Sequence, residues 1–140
     1  MSTTTRADQI QQAVYEALNA QKTALNLVTV ADQQTQPFDE TEIDAIDVRL
    51  AKTLQNGETM DAMGWIAEIE LHIYSKSKQC GVIHHAAHPI VMDIAQPSAD
   101  FAYDCEHIGI DQDTTQTGNV AATLRIAAYR FKFYEPYGQI

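Results

Sequence analysis

Three histidines within five residues are the side chains whose type and spacing could do chemistry. Residues four apart in a helix share a face, so His84 and His88 of a predicted helix could bind zinc together, with His85 beside them. The side chains that could complete such a site are Cys80, Cys105 and His107. No glutamate follows His84, so the general base of a zinc protease of the H-E-x-x-H type is missing. We therefore interpret these residues as ordinary surface or part-buried histidines, and keep a small metal-binding enzyme using His84 and His88 as an alternative.

The acidic segment at residues 111–119 begins like a calcium-binding loop. Asp111 and Asp113 suit the first and third positions of an EF-hand, but Gln116 stands where the sharp-turn glycine is needed. Ala122 stands where the bidentate glutamate is needed, so the segment is interpreted as a solvated turn. The sequence also has no G-x-S-x-G motif, no phosphate-binding glycine loop and no C-x-x-C. We expect no enzymatic activity, no metal and no cofactor.

Length and charge limit the possible classes of protein. A chain of 140 residues is expected to form one domain, residues 1–140, with a core of its own. The net charge of −10 argues against specific nucleic-acid binding, and no apolar run is long enough for a membrane span. The polar N-terminus lacks the apolar region of a signal peptide, which favours the cytoplasm. In that reducing compartment we expect Cys80 and Cys105 to be free thiols.

The strongest structural pattern is the strict alternation in residues 64–74. One side of an extended chain there is acidic or polar, with Glu68, Glu70 and His72. The other side carries Trp65, Ala67, Ile69, Leu71 and Ile73. This pattern predicts a strand of an antiparallel or mixed sheet, with one buried and one solvated face and with Trp65 in the core.

An amphipathic helix is predicted near the N-terminus, up to about Ala20. Thr5 and Asp8 form a capping-box pattern at its start. Its apolar face has Ile10, Ala13, Val14, Ala17 and Leu18, and the face predicted to be solvated has Gln11, Gln12 and Glu16.

A second alternating strand, around residues 46–54, precedes the Trp65 strand. Asn56-Gly57 lies between the two, and this dipeptide is a strong signal for a hairpin turn. We therefore predict an antiparallel pair whose polar tip is residues 55–63. The remaining predictions are a β-rich run at 25–30, a helix at 80–95 interrupted by Pro89, and strands at 105–111 and 120–134, the last with a bulge near Tyr129.

Together these elements predict an α+β fold, an α/β sandwich. It has a mixed, mostly antiparallel sheet of about five strands, with two main helices packed on it.

Several short segments, in this order, resemble a known family. They are Trp65-x-Ala67-Glu68, Pro89-x-x-Met92-Asp93-Ile94, and an acidic turn at 111–113 that leads into a Tyr- and Phe-bearing strand at 128–134. The chain resembles the tail terminator proteins of lambda-like long-tailed phages, the minor tail protein U family. It departs from that family in its Thr-rich N-terminus and its histidine-rich second helix.

The resemblance implies a structural protein of the virion tail, present in the host cytoplasm during assembly. Such proteins form a homohexameric ring at the head-proximal end of the tail tube and stop its polymerisation. The ring then offers the surface that joins the tail to the head. The implied partners are other copies of the chain, the tail tube protein and a head–tail connector protein. DNA passes through the ring, and an acidic lumen would let it pass without binding. The alternative is another head–tail joining or tail-completion protein of similar fold.

Residues 111–119 are also expected to be a hairpin tip, and the two polar tips, 55–63 and 111–119, are the segments predicted to dock on the tube, because they are expected to protrude and to become ordered on contact. Their candidate interface residues are Asn56, Glu58, Asp61, Asp111, Asp113 and Gln116.

Overall fold

The computed structural model is a five-stranded sheet with both helices on one face. It describes residues 5–58, 62–76, 78–95, 102, 104–117 and 120–136. The elements are α1 (Arg6–Ala20), β1 (Thr29–Asp32), β2 (Ala45–Glu58), β3 (Ala62–Ser75), α2 (Cys80–Met92), β4 (Asp104–Thr117) and β5 (Val120–Pro136). The strand order is β1-β2-β3-β5-β4, parallel between β1 and β2 and antiparallel elsewhere. The predicted α+β fold with a mixed, mostly antiparallel sheet is confirmed.

The core lies between the helices and one face of the sheet, called here the helix-side face. β3 supplies its middle row, in which the predicted apolar row from Ala67 to Ile73 is confirmed, and Trp65 packs against the core while part-buried. The prediction that Glu68 on the opposite face is solvated is wrong, because this residue is only 8 % exposed. The facing residues come from β2 (Ile46, Val48), β5 (Ala127, Tyr129, Phe131, Phe133), α1 (Ile10, Val14, Leu18) and α2 (Ile83, Ala87, Val91).

The first helix begins where the sequence predicts. Thr5 Oγ1 accepts from the Asp8 backbone N–H at 3.1 Å, and Asp8 Oδ2 accepts from the Thr5 N–H at 3.1 Å. The prediction that Gln11 is solvated is wrong, because its side chain is only 2 % exposed. Its Nε2 donates to Asp32 Oδ1 at 2.7 Å and to the Val48 carbonyl at 2.9 Å, which ties α1 to β1 and β2. These two bonds provide the partners that a buried amide needs.

The hairpin of β2 and β3 forms as predicted, but Asn56-Gly57 is not its turn. Gln55 pairs with Trp65 and Glu58 with Met63, so two residues of β2 oppose one of β3 in a β-bulge. Gly57 adopts a φ of +76°, which glycine allows without a steric penalty. The positive φ of Gly57, which would also suit a turn, therefore serves the bulge. Beyond it, β2 continues to Glu58, and β3 begins at Ala62.

The predicted turn at residues 111–119 is also wrong as far as the structure describes it. Residues 111–117 continue β4, and each pairs with a residue of β5. The threonines there are β-branched, and β-branched residues suit a strand, so their polarity did not indicate a loop. The bulge predicted near Tyr129 is absent from β5 against β3, where pairing runs without a register shift; a shift occurs in β4 instead, between His107 and Gly109.

The face of the sheet opposite the helices, called here the open face, carries a second, smaller buried cluster that reaches from β1 to Ala122 of β5. The segment between β1 and β2 folds over this face, and Phe38 and Ile43 are buried against Ala45. Asp47 is consequently 2 % exposed, and its oxygens accept from the Gln34 backbone N–H at 2.9 Å and from Arg49 Nη1 at 2.6 Å. Its burial is compensated by a backbone donor and a charged partner.

Replacing Gln11 with leucine tests the tie between α1 and the sheet. We expect Gln11→Leu to lower the free energy of unfolding by about 1–3 kcal/mol, because Asp32 and Val48 lose a donor while the volume changes little. Urea denaturation followed by circular dichroism measures this. Gln12→Leu, the same change at the next and less buried position, is the control and is expected to cost under about 0.5 kcal/mol.

Candidate functional site

The two long hairpins end at opposite ends of the sheet. Ala62 of β3 pairs with Pro136 of β5, and Ser75 pairs with Thr123. The strands β2 and β3 therefore end their hairpin at the level of Glu135 and Pro136 of β5, whereas β4 and β5 end theirs beyond the level of Ser75, at the other end of β3. Fifteen residue steps along β5 separate the two levels, from residue 120 to residue 135, a distance of about 50 Å at the usual rise.

The β2–β3 hairpin is exposed on its β2 side towards its end. Residues 51–55 of β2 are all exposed, although successive side chains there point to both faces of the sheet. Leu54 is 36 % exposed among them. Of the predicted docking residues, Asn56 and Glu58 belong to the end of this strand, and Asp61 lies outside the described residues.

The β4–β5 hairpin carries the other predicted docking residues. Asp111 is exposed on β4, Asp113 pairs with Leu124, and Gln116 pairs with Ala121 farther along the strand. These three residues belong to one arm, and Asn56 and Glu58 belong to the other. The structure therefore divides the predicted set between two ends and does not bring it together at one surface.

A cluster of histidines around Tyr129 is the most concentrated chemistry in the described chain. His84 Nε2 lies 2.7 Å and His88 Nδ1 2.8 Å from the Tyr129 hydroxyl oxygen. His107 pairs with Tyr129 across β4 and β5, and its ring centroid lies 4.8 Å from the tyrosine ring and 5.1 Å from that of His84. A hydroxyl has one proton, so Tyr129 donates to one imidazole and accepts from the other.

This cluster does not have the arrangement of a metal centre. Among the residues that the structure describes, no three His, Cys, Asp or Glu side chains are placed to hold a metal ion. Cys80 donates instead to backbone carbonyls of Ile73 and Thr123 at 3.3 and 3.2 Å. Burial raises the pKa of Cys105 to about 12, which disfavours the thiolate that binds zinc. Both cysteines are free thiols, as predicted.

Burial and the neighbouring basic groups disfavour the charged forms of His84 and His107. His84 is 6 % exposed, and burial, followed by repulsion from His107, Arg125, His88 and His85, lowers its pKa to about 4. Burial also lowers the pKa of His107, with a further contribution from His88. Burial raises the pKa of the Tyr129 hydroxyl, so the tyrosine remains a neutral hydrogen-bonding group between them.

Charged side chains form a row across the open face. In register, Lys52 of β2, Glu68 of β3, Arg130 of β5 and Glu106 of β4 lie side by side with alternating sign. Lys52 Nζ lies 3.3 Å from Glu68 Oε2, but the pair lacks hydrogen-bond geometry, and this oxygen and Arg130 Nε have no hydrogen-bond partner among the described residues. Opposite charges next to each other across strands favour this register.

Sequence reasoning had no means of finding Tyr129 as the centre of the histidine cluster. It lies 41 and 45 residues from His88 and His84 along the chain, on a different element. The one usable signal was His107, which the zinc hypothesis had already grouped with these histidines.

Comparison with known proteins gives little further guidance. No protein-family model matches the chain. No curated protein matches it either. Among solved structures, one similar chain belongs to the virion of a native gene transfer agent particle, with 11% identity, a TM-score of 0.49, and coverage of 87% of this chain and 93% of that one. At that identity and TM-score the similarity assigns neither a family nor a function. No helix in the described part of the chain has the length and apolar character to cross a membrane.

The lowered pKa of His84 predicts a loss of stability in acid. Between pH 6.5 and about 4, His84 takes up a proton in the unfolded chain but not in the folded one. Its contribution is therefore complete above pH 6.5 and falls by up to about 3 kcal/mol as the pH drops to 4. Urea denaturation at several pH values measures the slope.

Comparison of two glutamine variants isolates this effect from the carboxylates that titrate in the same range. His84→Gln should show a shallower loss of stability between pH 6.5 and 4 than the wild type. His85→Gln changes the exposed neighbour on the same helix and should keep the wild-type slope. Equal slopes in all three proteins would show that His84 is not the titrating group.

Proposed function

We propose that this chain is a non-enzymatic structural protein of a phage tail, a tail terminator that caps the head-proximal end of the tail tube and takes part in head–tail joining. The observation that carries the proposal is the pair of long hairpins at opposite ends of one sheet. A terminator must contact the tube on one side and the head on the other, and this chain has an exposed arm for each. The family resemblance of its sequence supports the same role.

The β2–β3 hairpin is proposed as the arm that docks on the tube. Its β2 strand is exposed on both faces over residues 51–55, so a partner can enclose it. The β4–β5 hairpin, about 50 Å away by the strand rise, is then proposed to meet the head side. This assignment changes the initial expectation that both tips meet the tube, because one end of a tube does not reach both ends of the sheet.

Ring formation requires two unlike lateral surfaces, because a closed ring of identical subunits uses a heterologous contact. The two faces of this sheet are unlike, as such a contact requires. One is covered by α1 and α2, and the other has the charged row from Lys52 to Glu106. The net charge of −10 fits a ring through which DNA passes without adhering.

Charge reversal at each arm tests the proposal in a reconstituted tail assembly. Glu58→Lys with Asp61→Lys should reduce the fraction of capped tubes by about tenfold or more, because reversed charges at a docking surface oppose association. Asp111→Lys with Asp113→Lys should leave capping intact and reduce joining of capped tails to filled heads. Tube length and the number of joined particles are counted by electron microscopy.

A matched control carries the same change in net charge away from both arms. Glu16→Lys with Glu40→Lys alters two exposed residues, on α1 and in the segment between β1 and β2, and should behave as the wild type. If capping survives the reversals at Glu58 and Asp61, the tube is not bound by the β2–β3 hairpin. If neither arm affects capping or joining, the terminator role itself is wrong.

A further inference from the structure

A pocket rich in basic side chains opens beside the histidine cluster. It has a volume of about 270 Å³ and is lined by Gly81, His84, His85, His88, His107 and Arg125. No carboxylate is among these described lining residues, although the whole chain has 19 acidic residues against nine lysines and arginines. A local excess of basic groups in an acidic protein indicates an anion as the missing partner.

Arg125 lines this pocket, and only part of its hydrogen-bonding capacity is used by Gln112. Its Nε and Nη2 both donate to Gln112 Oε1, at 3.1 and 3.0 Å, which uses two of the five guanidinium N–H groups. Its guanidinium lies against Gly81, where a Cβ atom would come within 3.4 Å of Nη2. The guanidinium is therefore packed against the first turn of α2, in the pocket wall.

The histidines add further donors at the same place. His107 Nε2 is buried and has no hydrogen-bond partner among the described residues. Tyr129 engages Nε2 of His84 and Nδ1 of His88, and we assign the second nitrogen of each ring to the ligand. His85 is exposed beside them on α2.

The basic groups around His84 all lower its pKa. The groups that face it are His85 and His88 from α2, His107 from β4, and Arg125 and Tyr129 from β5. Cys105, with Asp104 acting on it, is the remaining titratable neighbour of the tyrosine. The nearby acidic side chain Glu106 pairs in register with Arg130 on the open face, so it does not offset this repulsion.

We propose that this pocket binds an oxyanion, either a free phosphate ion or the carboxylate of an acidic side chain from a neighbouring copy of the chain. Arg125 makes the charge-assisted contact, and the histidines donate further hydrogen bonds when protonated. The volume of about 270 Å³ leaves room for one such group together with water molecules, since a water occupies about 30 Å³. The proposal does not depend on the role in a phage tail.

Binding and protonation are coupled in a definite direction. An anion among these imidazoles favours their charged forms, so it should bind more tightly as the pH falls from 7.5 to 6. Protonation in the empty pocket is opposed by burial and by the neighbouring basic groups. A bound anion therefore offsets the repulsion that otherwise opposes protonation of these imidazoles.

Titration with inorganic phosphate tests the proposal. In a phosphate-free buffer at pH 6, addition of phosphate to the full chain should shift the imidazole C–H signals of His84, His88 and His107 saturably in NMR spectra. Arg125→Gln should weaken this binding by about tenfold or more, because one charge-assisted contact is lost.

Arg125→Lys, which keeps the positive charge without the planar set of guanidinium donors, is the second variant if Arg125→Gln does not fold. Lys52→Gln removes one positive charge on the open face and should bind phosphate as the wild type does.

Light scattering in the same buffer separates the two sources of the anion. Self-association that is lost in Arg125→Gln and is competed by phosphate identifies a neighbouring carboxylate as the occupant. Saturable phosphate binding without any effect of Arg125 on the mass identifies the free ion. The proposal is overturned if phosphate leaves the histidine signals unchanged and Arg125→Gln has the same mass as the wild type, or if Lys52→Gln weakens binding as much as Arg125→Gln.

Discussion

The uninterrupted pairing of β3 with β5 is the constraint on which the rest of the structure depends. Fourteen residues of β3, from Ala62 to Ser75, each oppose one residue of β5 without a register shift. A slip of one residue would turn every side chain to the other face of the sheet. If β5 slipped in this way, Tyr129 would leave the helix-side face while Ile69 stayed beneath the helices. The same register fixes which end of the sheet each hairpin reaches, so the separation of the two arms follows from the core.

Tyr129 connects this core to the histidine cluster. Its ring is fully buried in the helix-side face, while its hydroxyl contacts His84 and His88 of α2. The helix is therefore held to the sheet by apolar packing and by a polar contact whose strength depends on the protonation of imidazoles. The basic pocket lies at the outer side of this contact, between α2, β4 and β5. An anion bound there would favour the protonated imidazoles and so change the hydrogen bonds between α2 and Tyr129.

Alternation and capping in the sequence were sufficient to predict the fold class, the buried row of β3 and the start of α1. Polarity was the misleading signal. Residues 111–117 form a strand, but they are polar and lack an apolar alternation, so the sequence pattern did not reveal it. Gln11 and Asp47 are buried by partners from distant segments, which no local pattern reports. The two tips were predicted to dock on one partner, but they belong to opposite ends of the sheet. This separation follows from the strand order β3-β5-β4, which is a property of the whole sheet and is not visible in any local pattern.

The proposed terminator role unites the two exposed arms, the unlike faces of the sheet and the acidic charge in one account. Its most direct test is electron microscopy of tail tubes polymerised in the presence of the chain carrying a gold label. The account predicts label at one end of each tube, in a closed ring, and no further growth from that end when fresh tube protein is added. Label along the tube wall, or continued growth from labelled ends, would contradict it.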